Sequence, residues 1–84
     1  MGMTAVEIEY CVPCGLLEPA IETQTRLLNE FGQNLDGVTL TPGHGGVFVV
    51  TVDGETIWEK GVHGSDLDLG VIVEAVDDRL PADA

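Results

Sequence analysis

Near its start the chain alternates without a break: in Ala5-Val6-Glu7-Ile8-Glu9-Tyr10, apolar Val6, Ile8 and Tyr10 share one side and Ala5, Glu7 and Glu9 the other. Successive strand side chains point to opposite faces, so this run predicts a strand with one buried and one wet face. From Gly15 the period changes. Leu17, Ala20, Ile21, Gln24, Leu28 and Phe31 recur at helical intervals, with Glu18, Glu22 and Arg26 on the polar side, which predicts a helix closed by Gly32 as its C-cap. Pro19 falls in the first turns, where a missing N–H is tolerated. Asn34-Leu35-Asp36-Gly37 reads as a turn, and Val38-Thr39-Leu40-Thr41 as a second strand, parallel to the first by the right-handed crossover rule. A glycine-rich loop, Pro42-Gly43-His44-Gly45-Gly46, precedes Val47-Phe48-Val49-Val50-Thr51-Val52, the most apolar strand. Asp53-Gly54 predicts a type I′ hairpin into Glu55-Thr56-Ile57-Trp58-Glu59-Lys60. A second loop, Gly61-Val62-His63-Gly64, leads to Ser65-Asp66-Leu67-Asp68, a capping-box-like start with Asp68 in the place usual for Glu. Leu69, Ile72, Val73, Val76 and Leu80 then form the apolar stripe of a closing helix.

The order β-α-β-β-β-α predicts a two-layer α/β domain, a four-stranded mixed sheet with both helices on one face, which is the smallest thioredoxin-like core. Small metal-chaperone domains of ferredoxin-like fold begin similarly but end on a strand. Val6, Ile8, Tyr10, Val38, Leu40, Phe48, Val50 and Val52 are expected on the covered face; Glu7, Glu9, Thr39, Thr41, Val49 and Thr51 on the bare one. The 84 residues make one domain, 1–84, with Pro81-Ala82-Asp83-Ala84 expected as a disordered tail.

Charge alters the range of partners. Fifteen acidic residues face three basic ones, Arg26, Lys60 and Arg79, for a net charge of -12. Phosphate-mediated nucleic-acid binding is excluded, and an anionic membrane surface repels such a chain. The acids are spread over every element, so the surface resembles that of a halophilic protein in a salt-saturated cytoplasm, where dense counterions screen self-repulsion; a docking surface for a basic partner is the alternative. Met1-Gly2-Met3-Thr4 lacks the regions of a signal peptide, no segment has the apolar length of a membrane span, and Val6 stands where a myristoylation signal needs Ser or Thr. The expectation is a cytoplasmic monomer, in a compartment where a lone C-x-x-C is more often catalytic or redox-sensing than structural.

The candidate chemistry sits in Tyr10-Cys11-Val12-Pro13-Cys14-Gly15, which holds both cysteines at the turn from the first strand into the first helix. Unpaired N–H groups and the helix dipole there favour a thiolate, lowering a cysteine's pKa below its free value of about 8.5. Pro13 stiffens the turn and is compatible with the first helical turn. Three readings fit the pair: thiol-disulfide exchange with Cys11 and Cys14 as the catalytic residues, a zinc or metal-handling site, and a structural staple. A zinc site needs further ligands, and His44 and His63 are separated by eighteen intervening residues instead of the usual three to five. No bound cofactor is expected. Val12, Pro13, Pro42 and His44 are candidate substrate contacts. Pro42 corresponds in order to the substrate-facing cis-proline of thioredoxins, against the commoner trans proline ending a strand. His44 reads as a proton shuttle or a plain loop residue, His63 as a loop residue, and Trp58 as packing.

The ordered set of Tyr10-Cys11-x-x-Cys14-Gly15, Thr41-Pro42 and Gly46-x-Phe48-x-Val50-Thr51-Val52-x-Gly54 resembles the selenoprotein W-like, or SelT/SelW/SelH (Rdx), family of redox proteins, from about Val6 to Gly61. The resemblance implies a thioredoxin-like fold and a role in thiol-based redox reactions with a thiol or disulfide protein, or a small thiol, as partner. In the selenium-containing relatives the selenocysteine takes the second motif position, here Cys14. Helix-terminus physics instead favours Cys11 as the exposed nucleophile and Cys14 as the resolving thiol. With sulfur at both positions, a slower or narrower activity is expected. The alternative to redox exchange is a metal-handling or protein-binding module built on the same C-x-x-C.

Overall fold

A computed structural model describes residues 4–64 and 66–80. β1 (Thr4–Cys11) occupies the middle of the sheet because its alternating residues have partners on both sides. β2 (Leu35–Gly43) runs parallel to it, β3 (Phe48–Val52) antiparallel, and β4 (Glu55–Glu59) pairs with β3, giving the order β2-β1-β3-β4. α1 (Leu17–Phe31) makes the crossover between β1 and β2, and α2 (Leu69–Asp77) follows β4. Ala20 and Leu27 of α1 and Ile72 and Val76 of α2 join Val6, Ile8, Val50 and Trp58 in a single core, so both helices cover one face. This is a thioredoxin-like α/β fold, and the two faces divide as the alternation predicts: Val6, Ile8, Tyr10, Val38, Phe48, Val50 and Val52 are buried, whereas Glu7, Glu9 and Thr39 are exposed. On the bare face, the Thr41 hydroxyl donates to Glu7 Oε2 at 2.6 Å.

Several boundaries differ from the expected ones. Leu35 does not belong to a turn; Gly32–Asn34 form a short 3-10 helix, and Leu35 opens β2 as a buried residue. α1 is rotated about its axis relative to the expected stripe. Its buried positions are Ala20, Thr23 and Leu27, while Leu17, Ile21 and Leu28 are exposed. Thr23 enters the core because its hydroxyl donates to the Pro19 carbonyl at 2.8 Å, which leaves no unsatisfied polar atom. Gln24 reaches sideways to the Val38 carbonyl, 2.7 Å away. In β4, Val50 pairs with Trp58 but Thr51 pairs with Thr56, leaving Ile57 in a bulge. The extra residue explains how consecutive Ile57 and Trp58 are both buried. Asp53 and Gly54 both take positive φ, as a type I′ hairpin requires, and the Asp53 carboxylate accepts from the Ala5 N–H.

α2 begins later than its sequence pattern suggests. Asp68 is itself the N-cap, its carboxylate accepting the Val71 N–H at 3.3 Å; Ser65 lies outside the described residues, as does the tail 81–84. Leu80 stands beyond the helix but packs on the core. Next to it, Arg79 makes a two-pronged ion pair with Glu55 of β4, which pushes the guanidinium pKa up through hydrogen bonding first and charge second. Among the described residues no helix is long and apolar enough to cross a membrane.

Candidate redox site

The central strand delivers Cys11 to the edge of the core, and the chain leaves the sheet immediately afterwards. Four backbone hydrogen bonds fix the turn from β1 into α1. The Cys11 N–H donates to the Val47 carbonyl at 2.8 Å and the Val12 N–H to the Gly43 carbonyl at 3.0 Å, so the loop between β2 and β3 grips the start of the turn. The Gly15 N–H donates to the Val12 carbonyl and the Leu16 N–H to the Cys11 carbonyl, closing the turn before α1. Gly15 has φ +77, a left-handed conformation that glycine adopts without strain. Pro13 thus lies in the turn and not in the helix, which starts four residues later at Leu17.

Cys11 and Cys14 form a disulfide across this turn, with their Cα atoms 5.4 Å apart. The two halves of the bridge are unequal. Cys11 is 0% exposed, and Cys14 is exposed at the turn's outer side. This overturns the expectation of an exposed Cys11: as the last residue of an inner strand it is paired with Gly43 on one side and hydrogen-bonded to Val47 on the other. At Gly43, opposite Cys11, a Cβ would stand 2.9 Å from Glu9 Oε2, the mobile end of its side chain, and 3.0 Å from Val47 Cγ1, which would have to give by a few tenths of an ångström. The helix terminus is also a weaker anion site than the sequence suggests. Leu16 offers no side-chain cap, Pro19 removes one first-turn N–H, and Glu18 places a carboxylate against the dipole's positive end.

The remaining candidates gather around the bridge. Val12, 50% exposed, and Pro13, also exposed, form the turn's surface. Pro42 pairs with Tyr10 and Gly43 with Cys11, so Pro42 and His44 flank the residue that faces the buried cysteine. Both are exposed, and the Thr41–Pro42 peptide is trans. His63 has a structural part: its Nδ1 accepts the Glu59 N–H at 2.9 Å and fixes the turn after β4. Trp58 is packed, edge-on to Phe48 with ring centroids 6.1 Å apart. Among the described residues no group of three or more His, Cys, Asp or Glu side chains is arranged to hold a metal ion.

Fold and site together define a thioredoxin-like protein with a C-x-x-C disulfide at its first strand-to-helix turn. The sequence profile of the Rdx family matches residues 5–78, and the chain belongs to that family. A protein of Bordetella parapertussis of known structure is 35% identical, with a TM-score of 0.89 over 93% of this chain and 99% of that one. A selenoprotein W-related protein from Vibrio cholerae is 29% identical, with a TM-score of 0.86 over 90% of this chain and 95% of that one. Among curated proteins there is no significant match.

Proposed function

We propose that the chain is a small thiol-disulfide redox protein, an oxidoreductase or redox adaptor, that exchanges through Cys14 and resolves through Cys11. The observation that carries this reading is the unequal exposure of the two sulfurs in one C-x-x-C bridge. Thiol-disulfide exchange requires a thiolate to approach a sulfur directly, so accessibility selects the reacting atom. In the oxidised protein, a partner thiolate attacks Cys14 Sγ, forms a mixed disulfide and displaces the Cys11 thiolate, which then takes up a proton. A second partner thiolate attacks the partner's sulfur in that mixed disulfide and releases Cys14 as thiolate. The partner dithiol is oxidised by two electrons, and the protein pair is reduced by two. The reverse sequence reduces a partner disulfide: Cys14 attacks, and Cys11 then attacks Cys14 Sγ to expel the second partner thiolate.

Val12, Pro13, Pro42 and His44 are the partner's nearest contacts in this reading, which their exposure around the bridge supports. A reducing compartment such as the cytoplasm suits a couple that must be returned to the dithiol form. The test is trapping with single-cysteine variants. Cys11→Ser is expected to hold a stable mixed disulfide with a chromogenic disulfide probe, and Cys14→Ser to form one at least about tenfold more slowly, because its remaining thiol is covered. Faster capture by Cys14→Ser would assign attack to Cys11. Capture by neither would end the exchange reading.

A further inference from the structure

Beside the bridge, the start of α1 and the loop that leads into α2 leave a gap over the end of the sheet. α1 packs on β1, β2 and α2, and between its first turns, the adjoining ends of β3 and β4 and the residues Lys60, Asp66 and Leu67 lies a half-open groove of about 360 Å³. Its apolar walls are Leu16, Pro19, Phe48, Trp58 and Leu67. Two of these walls are tied to the redox turn: Leu16 follows Cys14 by two residues and donates its N–H to Cys11, and Phe48 follows Val47, whose carbonyl holds the Cys11 N–H. Glu22 of α1 and Asp66 of the loop before α2 stand at the rim, with Lys60 the one basic member. One turn earlier on α1, Glu18 joins Ile21 and Glu22 in lining an adjoining shallow surface. An apolar floor with a predominantly acidic margin, on a chain of net charge -12, is complementary to an apolar side chain next to a cation.

We infer that this groove docks the partner that Cys14 exchanges with, and that the partner is a protein segment carrying an aliphatic or aromatic residue adjacent to Lys or Arg, a few positions from its reacting cysteine. The inference rests on the redox reading of Cys14 and adds the substrate class. An extended segment advances about 3.3–3.6 Å per residue, so a side chain a few positions along reaches a groove whose wall begins at Leu16. The volume lies within the range of about 300–1,000 Å³ typical of small-ligand pockets and accommodates one side chain. Small thiols and acidic peptides lack the apolar anchor or the charge and are discriminated against.

The experiment compares chromogenic mixed disulfides of short cysteinyl peptides with the reduced protein: one peptide with Leu-Lys a few positions from the cysteine, one with Gly-Lys at the same place, one with Leu-Glu there, and a small neutral disulfide as reference. Rates are divided by each protein variant's own rate with the small disulfide. Leu-Lys is expected to react about tenfold faster than Gly-Lys, equivalent to about 1.4 kcal/mol of anchor binding, and faster than Leu-Glu. In Glu22→Lys/Asp66→Lys the preference for Leu-Lys over Leu-Glu falls or inverts. Leu-Lys and Gly-Lys rates within about twofold of each other would overturn the inference, since long-range attraction to an acidic protein accounts for charge preference alone. Trp58, the chain's one tryptophan, lines the groove and reads docking without chemistry. A serine-for-cysteine Leu-Lys peptide is expected to shift its emission, and the Gly-Lys counterpart to leave it unchanged. An emission shift with an inert small disulfide would reject the redox reading and keep the groove; reaction without Leu selectivity would do the reverse.

Discussion

Cys11 and Cys14 stand three residues apart in a turn and differ in access to solvent, the property on which the proposed order of exchange rests. The pair, its turn and its strand-to-helix setting are legible in the sequence because period two ends at Tyr10 and helical spacing starts after Gly15. The burial of Cys11 is not legible. Alternation alone assigns it to the wet face with Glu7 and Glu9, and the glycine-rich segment 43–47, which pairs with it at Gly43 and accepts its N–H at Val47, has no period to read. Gly43 stands opposite Cys11 across the sheet. Gly43→Val is expected to destabilise the fold by about 1–3 kcal/mol through crowding of Val47. It is also expected to raise the iodoacetamide reactivity of reduced Cys11 relative to Cys14, measured by mass mapping. A variant of unchanged stability with a still-protected Cys11 would show that the 43–47 loop does not guard the thiol.

At the scale of elements, the sheet is easier to read from the sequence than the helices. Strand faces follow directly from parity, and charged Glu7 and Glu9 mark the bare side. A helix face is an average over positions, and in α1 two adjacent leucines leave its direction ambiguous; counting Thr23 as polar turns the stripe toward Leu28 instead of Leu27. Leu27→Ala is therefore expected to cost about 2–5 kcal/mol, whereas Leu28→Ala, on the exposed side, costs less than about 1 kcal/mol. Urea unfolding of the two variants checks this, and equal losses would contradict the rotated face. At α2, Asp68→Ala removes the carboxylate that accepts the Val71 N–H and is expected to cost about 0.5–2 kcal/mol by the same measurement. Asp66→Ala, off the cap, serves as the control. The segment 43–47 beside the cysteine turn and the loop that carries Lys60 and Leu67 beside the groove hold their information in glycines and isolated side chains, which is why no periodicity marks Lys60 or Leu67 as lining the groove.

The whole molecule carries fifteen acids against three bases, and its two ion pairs among the described residues, Arg26–Glu30 and Arg79–Glu55, are both at the surface. Such pairs offset little of the repulsion among the other carboxylates. Raising ionic strength shortens the Debye length from about 10 Å at 0.1 M to about 3 Å at 1 M, so stability is expected to climb with potassium chloride. The urea midpoint in 0.1 M salt and in about 2 M salt measures it, and an unchanged midpoint would remove the halophilic reading and leave the acidic surface as a docking site for a basic partner. The central claim, that the turn holds a reversible two-electron couple, has a more direct test. The protein is equilibrated across a series of dithiol and disulfide redox buffers, quenched by alkylation and weighed by mass spectrometry. The account predicts two species only, unmodified disulfide and doubly alkylated dithiol, that interconvert at one midpoint approached from either side. A pair that stays reduced in every buffer, or one that oxidises and cannot be returned, would contradict it.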